Sequence, residues 1–236
     1  MSVSRAERTV ERRFPWHQSP WQPCGYPGKR ALDIVFALVA LAVVLPVMGV
    51  LAILVKLSSP GPIFYRGPRA GLGGRPFEQL KFRSMVVGTG GGAFTGRDDP
   101  RVTRLGKFLR LFKLDELPQF FNVLRGEMSI VGPRPESATV VEKYYTHRQR
   151  RVLSTRPGLT CLIQVRAFPD LGSEVPGGVD PHQYYCTTLL PPRLEEDIEY
   201  VDTMCLRLDV KLILQTAYCI LVKSWLTLWK QRKTRT

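Results

Sequence analysis

The sequence predicts a mainly α fold with one small β-hairpin (α+β), carried by a monotopic membrane protein. Three observations predict it. Ile34 to Val55 is a 22-residue stretch without a charge. Helical apolar periodicity flanks the acidic pair Asp115-Glu116 and returns near the C-terminus. A single pair of strand-like runs, "IFYR" and "FEQLKF", brackets a glycine-rich turn.

Composition narrows the partners. Lys and Arg outnumber Asp and Glu 34 to 20, for a formal charge of +14. That excess points to phosphate: nucleic acid, anionic lipid headgroups or a phosphorylated small molecule. The five cysteines (24, 161, 186, 205 and 219) are odd in number and far apart, as expected of reduced, packed thiols. Three scattered histidines and no HExxH or Cys/His cluster argue against zinc. A divalent ion would be Mg²⁺, held by carboxylates and phosphate oxygens.

Taken in order, residues 1–28 form a basic, proline-containing arm with tryptophans suited to the membrane interface. Residues 29–57 hold the apolar stretch, which as a straight helix would reach about 33 Å, enough to span a bilayer core. Its flanks oppose a span. Residues 1–30 carry six Lys/Arg and residues 56–83 six more, and the positive-inside rule cannot place both on the cytoplasmic side of a crossing helix. Pro46 near the middle, with Gly49 one turn on, supplies a break, so a re-entrant helix–break–helix is the expected form. Asp33 and Arg30 are expected as an ion pair at headgroup level.

Residues 58–205 are expected to form a cytosolic domain. "SSPGP" stops the membrane helix and the hairpin follows. The loop "GTGGGAFTG" (88–96) lacks the GK[ST] ending of a phosphate loop. "TRLGKFLRLFKL" (103–114) is a basic amphipathic helix with Leu105, Phe108, Leu109 and Phe112 on one face, which fits either a core or the membrane interface. Residues 206–236 form a C-terminal helix and basic tail. Its longest uncharged run, Leu212–Val222, is too short to span, and Trp225 and Trp229 beside Lys223 and Lys230 suit an interfacial anchor.

The chemistry centres on Asp115 and Glu116. Asp115 can cap a helix running from about Glu116 to Leu124, with Pro118 in its first turn. It can equally belong to an anion site, since helix N-termini attract anions. Arg110 lies five residues earlier, and Arg134 is fixed between prolines in "GPRP". A carboxylate ringed by arginines and a metal stays ionised and can attack phosphorus once phosphate charge is neutralised.

Seven stretches, from "KRALD" (29–33), "SSPGPIFY" (58–65) and "LKFRSM" (80–85) to "DDPRVTRLGKFLR" (98–110), "LDELPQFFNVLRGEMSIVGPRPE" (114–136) and "RPGLTCLIQV" (156–165), together with the Pro-interrupted membrane segment, resemble the bacterial sugar transferase family, the monotopic phosphoglycosyl transferases. The resemblance covers about residues 29 to 220. It implies a two-step transfer of sugar-1-phosphate from a UDP-sugar to polyprenyl (undecaprenyl) phosphate with release of UMP. Asp115 would be the nucleophile and Glu116 would help hold Mg²⁺ with it. Arg110 and Arg134 would bind phosphate, with Lys81 and Arg83 as helpers. The implied location is the bacterial inner membrane, with the catalytic domain on the cytoplasmic face against anionic headgroups. Leu45-Pro46 stands where relatives often have Ser-Pro, and Cys161 and Ile163 stand where Gly and Ala are expected. The chain is expected to be the minimal catalytic form. The alternative is a silent membrane-attached scaffold; nucleic acid is not an expected partner, for want of any binding signature.

Overall fold

The computed structural model describes residues 24–87, 99–162, 165 and 178–226. The N-terminal arm through residue 23, the loop 88–96, Ile163, residues 166–177, and Trp229 with Lys230 lie outside the described residues.

Helix α1 runs from Lys29 to Ser58 without interruption, with Pro46 inside it. The sequence predicts two helices with a break; instead Pro46 removes one backbone hydrogen bond and the neighbouring turns carry the helix past it. One face, bearing Ala37, Leu41, Met48, Leu51 and Val55, is buried in the main core with Phe82, Leu109, Val123 and Met128. The opposite face exposes Val35, Leu38, Val39, Val43 and Ile53.

Both ends of α1 are tied to the same folded body. At the start, Lys29 Nζ donates to Asp209 Oδ2 at 2.6 Å, the Val131 carbonyl at 2.9 Å and the Tyr200 hydroxyl at 3.0 Å. Arg30 donates to the carbonyls of Val123 and Leu124 at 2.7 and 3.1 Å. At the far end, Arg83 donates to the carbonyls of Val55, Ser59 and Pro62. Asp33 therefore does not sit at headgroup level beside Arg30. It is 2% exposed and accepts from Ser129 Oγ at 2.8 Å and Ile130 N–H at 2.9 Å. The physical reason is strand geometry: alternate N–H groups of a strand point to opposite sides, and this edge needs a buried acceptor.

Strands β1 (Phe64–Ala70) and β2 (Pro76–Phe82) form the expected hairpin, in register Phe64↔Phe82 to Ala70↔Pro76. Its turn is shorter than the sequence predicts, because β1 continues through Pro68, which a two-stranded edge tolerates. Then follow α2 (Arg104–Leu111), a 3₁₀ turn at Leu114–Glu116 and α3 (Gln119–Arg125). Strand β3 (Ser129–Val131) pairs in parallel with β4 (Gly158–Thr160), while α4 (Ala138–Tyr144) and a 3₁₀ turn at Gln149–Ser154 lie between them in sequence. Short α5 (Pro181–Tyr184) leads through a π turn into α6 (Leu190–Thr203). These helices pack Val141, Tyr145, Leu153, Leu190 and Leu194 into a second core under the hairpin's Ala70.

Helix α7 (Leu206–Tyr218) buries Asp209 and Leu212 and exposes Leu206, Val210, Leu214 and Tyr218 at four-residue spacing. The exposed stripe continues through Leu221 and Trp225. Helix α2 divides the two settings that its sequence fits equally. Leu109 is fully buried, whereas Phe108 is 46% exposed and packs against Phe112 in a tilted pair, 4.9 Å between ring centres.

Candidate active site

Helix α2 begins at Thr103, whose Oγ1 accepts from the Gly106 N–H at 2.8 Å. Gly106 is pressed onto the end of the hairpin: a Cβ there would lie 2.0 Å from the Ser84 carbonyl oxygen. This close approach lets Arg110, one turn on, donate from Nε to Ser84 Oγ at 2.9 Å.

The chain leaves α2 through Lys113, which has φ of 56°. A left-handed residue other than glycine is uncommon and turns the backbone sharply. Residues 114–116 then close a 3₁₀ turn, with the Glu116 N–H bonded to the Lys113 carbonyl at 3.1 Å. Helix α3 thus starts at Gln119, later than the sequence predicts, and Asp115 is not its cap; the capping position is Pro118. The missing N–H of Pro118 and the left-handed Lys113 confine the pair to its own turn.

Inside that turn Asp115 is 6% exposed, and its Oδ1 has no hydrogen-bond partner among the described residues. Glu116 Oε1 accepts from Lys81 Nζ at 3.0 Å and faces Lys113 Nζ at 4.0 Å. Lys81 comes from β2, which is bolted to α3 by Asn122: its Oδ1 accepts from the Leu80 N–H at 2.9 Å and its Nδ2 donates to the Glu78 carbonyl at 2.8 Å. The two carboxyls are driven apart electrically. Burial would raise Glu116, but Lys81 and Lys113 outweigh it and hold the group down at about 2. Burial, and then the charge of Glu116, pushes Asp115 upward. Burial pulls Lys81 and Arg110 down, against the attraction of the same carboxylates.

Arg134 approaches from the "GPRP" segment. Its N–H donates to Asp197 Oδ2 at 3.3 Å, and its Nε lies 3.8 Å from Glu136 Oε1, which also accepts from the Tyr185 hydroxyl. Burial opposes its charge, yet Tyr185 and Glu136 more than restore it. Asp115, Lys81, Arg110 and Arg134 are thus all within electrostatic reach of Glu116. Arg83 is not among them, since its guanidinium is engaged on the carbonyls at the end of α1.

Sequence reasoning missed Lys113, although it opens the "KLDELPQFF" stretch; its backbone conformation has no sequence signature. It also missed Asp197 and Glu136, which orient Arg134 across 63 and two residues of sequence respectively. Burial pushes Asp197 up to about 7. Between its ordinary value near 4 and about 7, the folded chain holds a proton that the unfolded chain has lost, so this group's contribution to stability falls as pH rises through that window. Asp197→Asn is expected to remove a slope of at most about 1.4 kcal/mol per pH unit, read as the difference between the two proteins' unfolding free energies from pH 4 to 8.

The chain matches the family model described as bacterial sugar transferase over residues 25–223. It is 42% identical over 198 residues to the UDP-glucose:undecaprenyl-phosphate glucose-1-phosphate transferase of Caulobacter vibrioides, covering 82% of this chain and 69% of that protein. It is 38% identical over 208 residues to the Escherichia coli K12 protein of the same name, covering 86% of this chain and 42% of that one. A third relative, the UDP-N-acetylgalactosamine-undecaprenyl-phosphate N-acetylgalactosaminephosphotransferase of Aeromonas hydrophila, is 37% identical over 204 residues, covering 82% of this chain and 43% of the relative. The chain therefore spans about two fifths of the length of two of these relatives and about two thirds of the other. With the family's model matched from residue 25 to residue 223, the chain belongs to the bacterial sugar transferase family and is a transferase.

Proposed function

We propose that the chain transfers sugar-1-phosphate from a UDP-sugar to undecaprenyl phosphate through a covalent intermediate on Asp115. In the first step an Asp115 carboxylate oxygen bonds to the β-phosphorus, and the bond from that phosphorus to the bridging oxygen breaks, releasing UMP. In the second, a phosphate oxygen of the acceptor bonds to the same phosphorus and the Asp115–phosphorus bond breaks. The product is a polyprenyl-diphospho-sugar and free Asp115.

The observation that carries this reading is the buried Oδ1 of Asp115, unpaired among the described residues, beside a carboxylate held ionised by two lysines. Glu116 keeps Lys81 and Lys113 at the turn. Lys81, Arg110 and Arg134 can then meet donor phosphates that would otherwise repel an incoming carboxylate. Mg²⁺ fits the same place: two adjacent carboxylates, one with an orphaned oxygen, form the small protein share that this ion takes when phosphates supply the rest. Bound there by Asp115 and Glu116, it would neutralise phosphate charge and draw the carboxyl of Asp115 toward its ionised form.

The ties on α1 support an attachment to one side of the membrane. With both ends fastened to one body, the uninterrupted α1 stays on one side of the bilayer and sinks its apolar outer side, with the α7 stripe, into the near leaflet. We place the attachment on the cytoplasmic side of the inner membrane, where the basic surface meets anionic headgroups.

UMP release is the direct assay. Purified protein in detergent, given undecaprenyl phosphate, Mg²⁺ and either UDP-glucose or UDP-N-acetylgalactosamine, is expected to release UMP with one donor and to stop on adding EDTA. Release that persists without acceptor at the same steady rate, or that survives EDTA, contradicts this reading.

A further inference from the structure

Beside the acidic turn lies a cavity of about 210 Å³. Its walls include Phe36 of α1, Leu117, Phe120 of α3, Leu159 of β4, and Ile213 and Ile220 on the α7 side. Its two hydroxyl-bearing walls, Thr160 and Thr216, bond to each other at 2.6 Å and so present little polarity. Only Lys113 and Glu116 bring charge to it among the described residues, and they lie together, 4.0 Å apart. Protein interiors rarely leave a void this large among aliphatic and aromatic side chains.

The walls say what fits. A nucleotide base or ribose would lose its hydrogen bonds to water here and find few replacements among the described residues. A hydrocarbon would lose nothing. By the measure in which a 150 Å³ apolar cavity takes benzene, 210 Å³ holds roughly eight carbons, between one and two isoprene units. Two of the helices that wall the cavity, α1 and α7, carry exposed apolar outer faces, which offer a lipid chain an apolar approach.

Resting on the two-step reading above, we infer that this cavity seats the first isoprene units of the acceptor and that Lys113 binds the acceptor phosphate. The left-handed backbone at Lys113 places it at the boundary between the acidic turn and the apolar cavity. Division of labour follows. Arg110, Lys81 and Arg134 serve the donor's phosphates, while Lys113 offsets the repulsion between the acceptor phosphate and the phosphosugar on Asp115. The acceptor oxygen then attacks phosphorus as the Asp115 carboxylate departs, with no further reactant.

The test separates the two half-reactions. Enzyme is first charged with donor and Mg²⁺, and adduct is read by mass; it is then chased with dimethylallyl, geranyl or farnesyl phosphate. Acceptor kcat/KM is expected to rise about tenfold or more from the one-unit to the two-unit chain and little beyond. Ala217→Phe, which projects bulk into the cavity from α7, is expected to erase that step while adduct still forms. Lys113→Asn keeps a residue tolerant of positive φ and is expected to raise acceptor KM about tenfold for every chain length. Absence of the chain-length step in the parent, or its persistence in Ala217→Phe, overturns the inference. If parent enzyme forms no adduct, the two-step reading itself fails. Should a variant fail to fold, the parent decides: a geranyl phosphate bearing a diazirine is expected to label residues 213–220 or Leu159, and labelling confined to the outer face of α1 overturns the inference.

Discussion

Asp115→Asn is expected to lower turnover by on the order of 10⁴-fold. The substitution is nearly isosteric and leaves the 3₁₀ turn, the Lys81–Glu116 pair and the Arg110–Ser84 bond in place. What it removes is the negative charge that makes a carboxylate oxygen able to attack phosphorus. A carboxamide oxygen is a poor nucleophile and a poor leaving group, so both half-reactions fail together. Glu116→Gln should behave differently. Its oxygen still accepts from Lys81, but the charge that sets Lys81 and Lys113 and helps hold Mg²⁺ is gone, so the loss is expected to be smaller and to be partly restored by a higher Mg²⁺ concentration. Steady-state UMP release at several Mg²⁺ concentrations distinguishes the two.

Gly158→Ala is expected to have the largest effect on the fold. Gly158 begins β4 directly against the β3 side, where a Cβ would lie 2.2 Å from the Gly132 nitrogen and 2.4 Å from the Thr160 carbonyl oxygen. The three atoms nearest to it are backbone, so relief requires moving β4 away from the Val131–Gly132 end of β3. The Gly132 N–H bonds to the Thr160 carbonyl at 3.1 Å and the Gly158 N–H to the Pro133 carbonyl at 2.8 Å, and both bonds would be lost. A penalty of about 3 kcal/mol or more follows, or roughly 6–12 °C in Tm for a chain of this size. The same displacement would shift Pro133 and hence Arg134. Gly49→Ala is the matched control: it lies inside α1 with nothing within 4 Å of the new Cβ, and stability should stay level or rise by up to about 1 kcal/mol. Thermal unfolding of the three proteins in one detergent decides the matter.

The hairpin was legible because alternation and glycine act locally, and the β1–β2 pairing follows them. The acidic pair and "GPRP" were legible as chemistry because two adjacent carboxylates and a proline-locked arginine are unusual in any chain. The turn that holds the pair was not. Pattern alone starts α3 at Glu116, but a left-handed Lys113 and the demand for a tight corner between α2 and α3 override it. The charged residues around the apolar helix were misplaced for a related reason. Read as membrane flanks, Lys29, Arg30 and Asp33 belong in headgroups. In the fold they are anchors, meeting Asp209, the end of α3 and the edge of β3, partners that lie 93 to 180 residues away. Arg83 shows the same limit: its motif suggests phosphate, and its surroundings supply three carbonyls instead.

The covalent role of Asp115 is the central claim, and intact-protein mass spectrometry tests it most directly. Parent protein and Asp115→Asn are each incubated with Mg²⁺ and a panel of UDP-sugars without acceptor. The account expects the parent to gain the mass of one sugar-phosphate from one donor, to lose it when undecaprenyl phosphate is added, and the variant to gain nothing. An adduct of the same mass on Asp115→Asn, or UMP release with acceptor from a parent enzyme that never carries the adduct, would contradict it.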